Sequence, residues 1–302
     1  MTLTRELSLA KLQPIGNIAI IGPGRLGQAM GRLLAFSRLP IAFVAARTMP
    51  ASRRAARFIG QGIPLTLFDP SLLQASVFLI TTSDSAIAEV GRALSRIGTG
   101  RDSWRGKVVL HTCGSLPSSV LSPLKLRGAA IGSLHPYQTV PRPQAGVRNL
   151  QDCFWGVEGD RKAVGVAKRL INRLGGIVFS IRPEQKALYH LSAFLVCPTV
   201  VTLMAKAEQL LQQAGVPRKV SRPMLRQFVS ETARNFDDLG GPRALTGPAV
   251  RGDSATIRRH LAALRNSAPE FVPVYQSLLK AMLRLAGSPG AKRGELHLRD
   301  SG

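Results

Sequence analysis

The sequence predicts a doubly wound α/β domain followed by an all-helical one, and three observations carry that expectation. A continuously apolar segment at 18–21 runs into the glycine turn Gly22-Pro23-Gly24-Arg25-Leu26-Gly27 and on into helically spaced Leu26, Met30, Leu33 and Leu34. A parallel strand covered on both faces, feeding an amphipathic helix, reads this way. Strand-like and helical stretches then alternate as far as Ile181, the pattern of parallel βαβ units. From Pro183 onward the patterning is helical only.

The elements follow in order. After the strand at 18–21 and its helix comes a second strand at 40–45. Further strands are expected at 76–81, 107–111 and 129–134, with a helix at 87–97 among them. A strand at 154–157, a helix at 161–174 and a strand at 177–181 extend the same sheet. Helices are expected at 183–214, 221–236, 254–266 and 270–286. The domains are therefore placed at 14–182 and 183–287. Residues 1–13 and 288–302 are polar or rich in Gly and Pro, and are expected to be flexible tails.

The turn at 22–27 supplies a main-chain cradle with the chemistry for phosphate: glycines where a Cβ would block approach, and helix amides facing outward. A dinucleotide fold that takes NAD carries an Asp or Glu about 20 residues further on, at the end of the second strand. No carboxylate occurs between Glu6 and Asp69, and Arg47 stands in that place. Arg47, Thr48, Ser52 and Arg53 combine guanidinium forks with small hydroxyls, which suits a ribose phosphate. The expected cofactor is NADP(H). Arg25, in the first helical turn, opposes the helix dipole unless an anion sits beside it.

The chain has 302 residues, 45% of them hydrophobic, which is ample for two globular cores. Its formal net charge of +24 raises nucleic-acid binding, but the cations are dispersed and aromatics amount to only 5%, too few for base stacking. No specific nucleic-acid partner is expected. Cys113, Cys153 and Cys197 have no metal-ligand spacing and read as small buried residues of a reducing, cytoplasmic compartment, with no metal. The apolar stretch 187–205 approaches membrane-spanning length but contains Tyr189, His190, Ser192, Pro198 and Thr199. It is expected to be a helix buried on all sides of a soluble domain rather than a membrane span.

Ligands of an open parallel sheet bind beyond the carboxyl ends of its strands. Thr81, Thr82 and Ser83 follow one strand and can lie against the nicotinamide ribose, with capping of the next helix by Ser83 or Asp84 as the alternative. His111, Thr112 and Ser115 follow the next strand, and His135 the one after. The first two groups are assigned to the cofactor, while Ser115 and His135 are assigned to the substrate. Lys186, Tyr189, His190 and Ala193 share a helix face by spacing, so an ammonium and an imidazole can converge on one substrate. Reduction of a carbonyl by hydride leaves an alkoxide that needs a proton, and Lys186 or His190 suits that role; His111 and His135 remain open alternatives. Within the Gly- and Pro-rich segment 240–253, Arg251 is positioned to grip a carboxylate with Thr246 beside it, and Asp253 to cap the following helix.

The segments IGPGRLG, TTSDSAIAEV, HTCGSLP, GSLHPYQT, KALYH and LTGPAVRGD together resemble a family of bacterial two-domain NADP oxidoreductases. That family pairs a Rossmann-like domain with a helical domain of unknown function. It is similar to pyrroline-5-carboxylate reductase, ketopantoate reductase and the 6-phosphogluconate dehydrogenase group, whose helical domains often form dimers. The resemblance implies a Rossmann-like fold and a homodimer built through the helical domain. It implies NADP(H)-dependent reduction of a small, carboxylate-bearing carbonyl or imine, with a non-catalytic NADP-binding sensor as the alternative. In the last-named group a catalytic Lys precedes an Asn by one helical turn; here the corresponding pair is Lys186 and His190. The family commonly has Ser and Asn where this chain has Cys197 and Pro198.

Overall fold

The computed structural model describes residues 15–287; the expected tails, and position 14, lie outside them. One sheet of eight strands holds the first part of the chain: β1 (Ile18–Ile21), β2 (Ile41–Ala46), β3 (Ile63–Thr66), β4 (Val77–Ile80), β5 (Val108–His111), β6 (Ala130–Pro136), β7 (Phe154–Gly159) and β8 (Ile177–Ser180). Their spatial order is β3-β2-β1-β4-β5-β6-β7-β8. The first six strands are parallel, β7 runs antiparallel to β6, and β8 is parallel to β7. The helices of this part are α1 (Arg25–Phe36), α2 (Met49–Ile59), α3 (Ile87–Ser95), α4 (Ser122–Lys125), α5 (Pro143–Asn149), α6 (Arg161–Arg173) and α7 (Lys186–Val196).

Strand alternation sorts the core. Ile18, Ile20, Val77 and Leu79 point to one face of the sheet, where they meet Met30 and Leu34 of α1 and Leu170 of α6. Ala19, Ile21, Phe78 and Ile80 point to the other, against Val90 and Leu94 of α3, Leu121 and Trp104. A sheet with both faces covered needs strands without polar positions, and β1 and β4 are fully buried throughout. The crossover side of each connection can thus be read from the residues, except between β6 and β7. There α5 returns beside α1, with Gly146 so close to Ala29 that a Cβ would lie 2.6 Å from that side chain. The chain re-enters the sheet from the same end and reverses.

Three expectations change. The strand β3 was not foreseen, because its short sequence IPLT is half exposed at the sheet edge and shows no apolar run. The single helix expected at 183–214 is broken: α7 ends at Val196, Cys197 leaves the helical region (φ −108°, ψ −80°), and Pro198 opens a new helix. Proline tolerates that first-turn position, where its missing N–H has no partner to lose. The break is also where the chain divides into two compact units, ending and starting at Cys197 and Pro198. α7 therefore belongs with the sheet, and the boundary expected at 182 moves past it.

The second unit holds α8 (Pro198–Gln213), α9 (Arg218–Leu239), α10 (Gly241–Ala244), α11 (Pro248–Arg251), α12 (Ser254–Ser267) and α13 (Val272–Leu285). The expected cap is present, with Asp253 Oδ1 accepting from Thr256 N at 3.0 Å. Ala249, Ile257, Leu261 and Leu279 form its buried core among the described residues. The stretch Pro183–Gln213 is apolar enough to cross a membrane by composition (mean hydropathy 1.7), yet none of that apolar window is buried in the chain. Leu188, Leu191, Phe194, Leu195 and Val201 are all about half exposed or more. The expectation of a helix enclosed on all sides does not hold for the single chain.

Candidate active site

Two glycines of the turn are required by the fold, and the third is not. Gly22 has φ +68°, and a Cβ there would sit 2.1 Å from Thr82 Cγ2, so both backbone and packing exclude a side chain. At Gly27 a Cβ would lie 2.1 Å from Thr81 Oγ1, which lets α1 press directly against the end of β4. Gly24 is different: its φ of −71° is ordinary, and a Cβ would meet nothing closer than the Thr81 carbonyl at 3.8 Å. Nothing in the fold forbids a side chain at Gly24; it would project into an open groove.

That groove, about 700 Å³, lies over the ends of β1, β2 and β4, where strand order reverses direction and such folds bind their ligands. Gly22, Gly24, Arg47, Thr48, Thr81 and Thr82 help to line it, and Leu67, Phe68 and Val90 give its far end an apolar wall. α1 has no acidic residue in its first turn and no side-chain cap, leaving its amides and dipole free for an anion. Arg47 is exposed, directly after β2, and Glu89 of α3 is the carboxylate that lines the same groove. The residues present fit a dinucleotide.

A smaller cavity of about 250 Å³ adjoins, lined by Leu26, Asp84, Thr112, Gly114, His135 and His190 among others, and it shares Thr81 and Thr82 with the groove. Here strand-end loops and α7 converge. His135 Nδ1 and the Tyr189 hydroxyl are 2.8 Å apart, and the rings of His135 and His190 meet edge-on with centroids 5.7 Å apart. Burial, then the charges of His190 and Lys186, hold the His135 imidazole down to about 3, so it is neutral at physiological pH. Burial likewise pushes the Tyr189 phenol above its usual range.

Several residues expected at the site are placed otherwise. Lys186 is 1% exposed and faces inward. Its Nζ donates to Ser133 Oγ at 2.6 Å and to the Cys113 carbonyl at 3.0 Å, and it lies 3.7 Å from the Glu158 carboxylate. It does not line the cavity, and burial lowers its pKa. Ser52 is fully buried; its hydroxyl accepts from Ala46 N and donates to the Leu65 carbonyl, tying α2 to β2 and β3. His111 is buried too, its Nδ1 accepting from Cys113 N, and desolvation and Lys186 hold it down to about 3. Ser115 meets the Cys113 sulfur. Ser52, His111 and Ser115 do not line either cavity. Arg25 donates to the Pro141 carbonyl at 3.3 Å, and Arg53 is exposed on α2 outside the groove. Ser83 lines the groove but makes no cap, and neither does Asp84. Thr246 and Arg251 are exposed on the second unit.

Phe68, Asp84 and Gln138 line these cavities without having been singled out as ligand contacts. For Asp84 the signal was available, since it follows a strand end within a run of small polar residues.

The reversal of strand order, the glycine turn at that point and the groove above it define a dinucleotide-binding α/β protein. Residues 5–136 match the Rossmann-like domain family, and residues 153–282 match a domain of unknown function, DUF2520. The chain is thus a two-domain protein of the Rossmann-like and DUF2520 type. Among solved structures it is similar to BF3122 of Bacteroides fragilis, described as a candidate NADP oxidoreductase. The TM-score is 0.72 and the identity 25%, covering 89% of this chain and 98% of that one. Protein TM1727 of Thermotoga maritima shares the fold with a TM-score of 0.66 at 21% identity, covering 90% and 98%. So does the pyrroline carboxylate reductase of Plasmodium falciparum solved with NADP bound, with a TM-score of 0.58 at 10% identity, again covering 90% and 98%. No curated protein matches the chain.

Proposed function

We propose that this protein is an NADP(H)-dependent oxidoreductase that reduces a small carbonyl or imine compound carrying a carboxylate. The observation behind this reading is the wall shared by the two cavities. Thr81 and Thr82 line both the groove over the glycine turn and the cavity holding His135 and His190. A dinucleotide whose pyrophosphate rests on Gly22–Gly27 has its nicotinamide end directed past these threonines. The candidate NADP oxidoreductase from Bacteroides fragilis supports the same class.

In this reading Arg47 and Thr48 hold the ribose phosphate, and Leu67, Phe68 and Val90 cover the adenine. Bound NADPH supplies a hydride to the electrophilic carbon of the substrate. As the C=O or C=N π electrons move onto the heteroatom, His190 delivers the proton that this atom requires. His135, kept neutral by burial and steadied through Tyr189, orients the reacting group. Lys186 has no open path to the substrate, so the donor role falls to His190.

The homodimer belongs to the same proposal. Few apolar residues of the second unit are buried for six helices, and the exposed apolar side chains of α8 and α9, Phe228 among them, are ones that water penalises. A second copy is proposed to cover them, to be checked by light scattering. The enzymatic reading is tested by mixing protein and NADPH with a panel of 2-keto acids and cyclic imines and following loss of nicotinamide fluorescence. Oxidation by at least one member is expected. Tight NADPH binding with no oxidation across the panel would instead favour a non-catalytic sensor.

A further inference from the structure

The loop that joins β5 to α4 is fastened at every step. The Cys113 amide donates to His111 Nδ1, the amides of Ser115 and Leu116 donate to Cys113 Sγ, and the Cys113 carbonyl accepts from Lys186. At its far end the Ser118 amide and hydroxyl both donate to Glu158, at 2.7 and 2.8 Å. Lys186 and Glu158 are themselves a buried ion pair, joining α7 to β7. At the inner edge of this loop sits Gly114, where a Cβ would lie 2.6 Å from His190 Cδ2 and 2.8 Å from His135 Nε2. Both imidazoles thus crowd Gly114, with no room for even a methyl group.

We propose that Lys186 is a positioning residue: with Glu158 and Ser118 it holds the Cys113–Ser118 loop in the one conformation that seats Gly114 against His135 and His190. The inference rests on the reductase reading for what the imidazoles do, but the strut itself is a matter of geometry. A buried ammonium makes a good strut for a physical reason. Its donors need acceptors inside the protein: Ser133 of β6 and the Cys113 carbonyl of the loop accept hydrogen bonds, and the Glu158 carboxylate of β7, 3.7 Å away, balances the charge, so three elements are drawn to one point. An ammonium engaged in this way has no proton path to the cavity.

The test compares wild type with Lys186→Met/Glu158→Gln, which removes both charges together and avoids stranding one of them. Folding is checked by thermal unfolding. Imidazole resonances are followed by NMR, which needs no substrate and so decides the strut even where the panel of the preceding section yields no turnover. NADPH affinity is expected to stay within about twofold of wild type, while the His190 and His135 resonances shift or broaden. Hydride transfer to any accepted panel member should fall about tenfold or more, the scale expected when a reacting geometry slips by a fraction of an ångström to an ångström. Unchanged resonances would overturn the proposal. So would unchanged resonances combined with loss of the pH dependence of hydride transfer, the signature of Lys186 as the donor. Should the double variant fail to fold, Ser118→Ala removes one hydroxyl from the same strut. A fall in hydride transfer of about threefold or more with shifted imidazoles supports the proposal, and wild-type behaviour in both overturns it.

Discussion

The groove over β1 and β2 and the cavity under α7 sit on the same sheet edge, yet they are built in opposite ways. The groove is assembled from neighbours in sequence: Gly22, Gly24, Arg47 and Thr48 lie at or just after two adjacent parallel strands, and its working groups are backbone amides and exposed side chains. The cavity is assembled from residues far apart, His135 of β6, His190 of α7 and Gly114 of the β5 loop, held by a buried layer of Lys186, Glu158, Ser118 and His111. One region offers an anion an open seat. The other fixes two imidazoles against a backbone that cannot yield.

The sharpest way to test this contrast is to remove one imidazole. His190→Gln should leave NADPH affinity within about twofold but lower turnover by a factor on the order of a hundred or more, the range of general-acid contributions. Steady-state kinetics beside a fluorescence titration separates the two quantities. Equal loss of binding and turnover would mean that His190 holds the cofactor instead, and the division between the two regions would collapse.

On the groove side, Gly24→Val should act on affinity alone. The backbone at Gly24 accepts any residue and its Cβ position is open, so thermal stability is expected to be unchanged. NADP(H) affinity should fall by a factor on the order of a hundred, because the valine occupies the space where the phosphates approach the amides. Gly22→Ala is the control in the opposite sense: with φ +68° and Thr82 in contact, it should destabilise the fold even without ligand. A Gly24→Val protein that binds NADPH normally would displace the pyrophosphate from this turn.

These two regions also explain what could be read from the sequence. The glycine turn, its strand and the missing carboxylate at the end of β2 are local signals, since each residue acts within a few positions of its neighbours. The alternating elements, the all-helical second part and the Asp253 cap are local in the same way. Lys186 was visible as a cation on a helix face beside His190, but which way that face turned depended on Glu158 and Ser133, on other strands. Ser52 and His111 carry groups that suit a ligand, and only the packing of β3 and the Cys113 loop shows that they serve the protein instead. The helix break at Cys197 was equally hidden, because Pro198 inside an apolar run reads as readily as a kink.

A smaller effect is expected from Arg47→Ser. A charge-assisted hydrogen bond to a phosphate contributes about 1.5–3 kcal/mol, so the preference for NADPH over NADH should drop by roughly ten- to a hundredfold, with NADH affinity unchanged. Parallel titrations with the two cofactors measure it. A variant that retains its preference would transfer phosphate recognition to Thr48 or to Arg53.

A separate test reads the buried layer through proton linkage. His111 and His135 are held at about 3, chiefly by burial, whereas the unfolded chain takes up protons on both near the ordinary histidine value of 6.5. The unfolded state therefore binds more protons at any pH between these values. The stability tied to keeping the imidazoles neutral is fully present above pH 6.5 and is lost progressively as pH falls toward 3. Each group contributes about 1.4 kcal/mol per pH unit across that window. Denaturant unfolding at pH 7, 6 and 5 should show this slope. His111→Asn, which retains an acceptor for the Cys113 amide, should remove about half of it while NADP(H) affinity at pH 7 stays the same. A slope that survives this substitution would mean that the layer behind the cavity hydrates on acidification, and that its rigidity is weaker than the geometry around Gly114 requires.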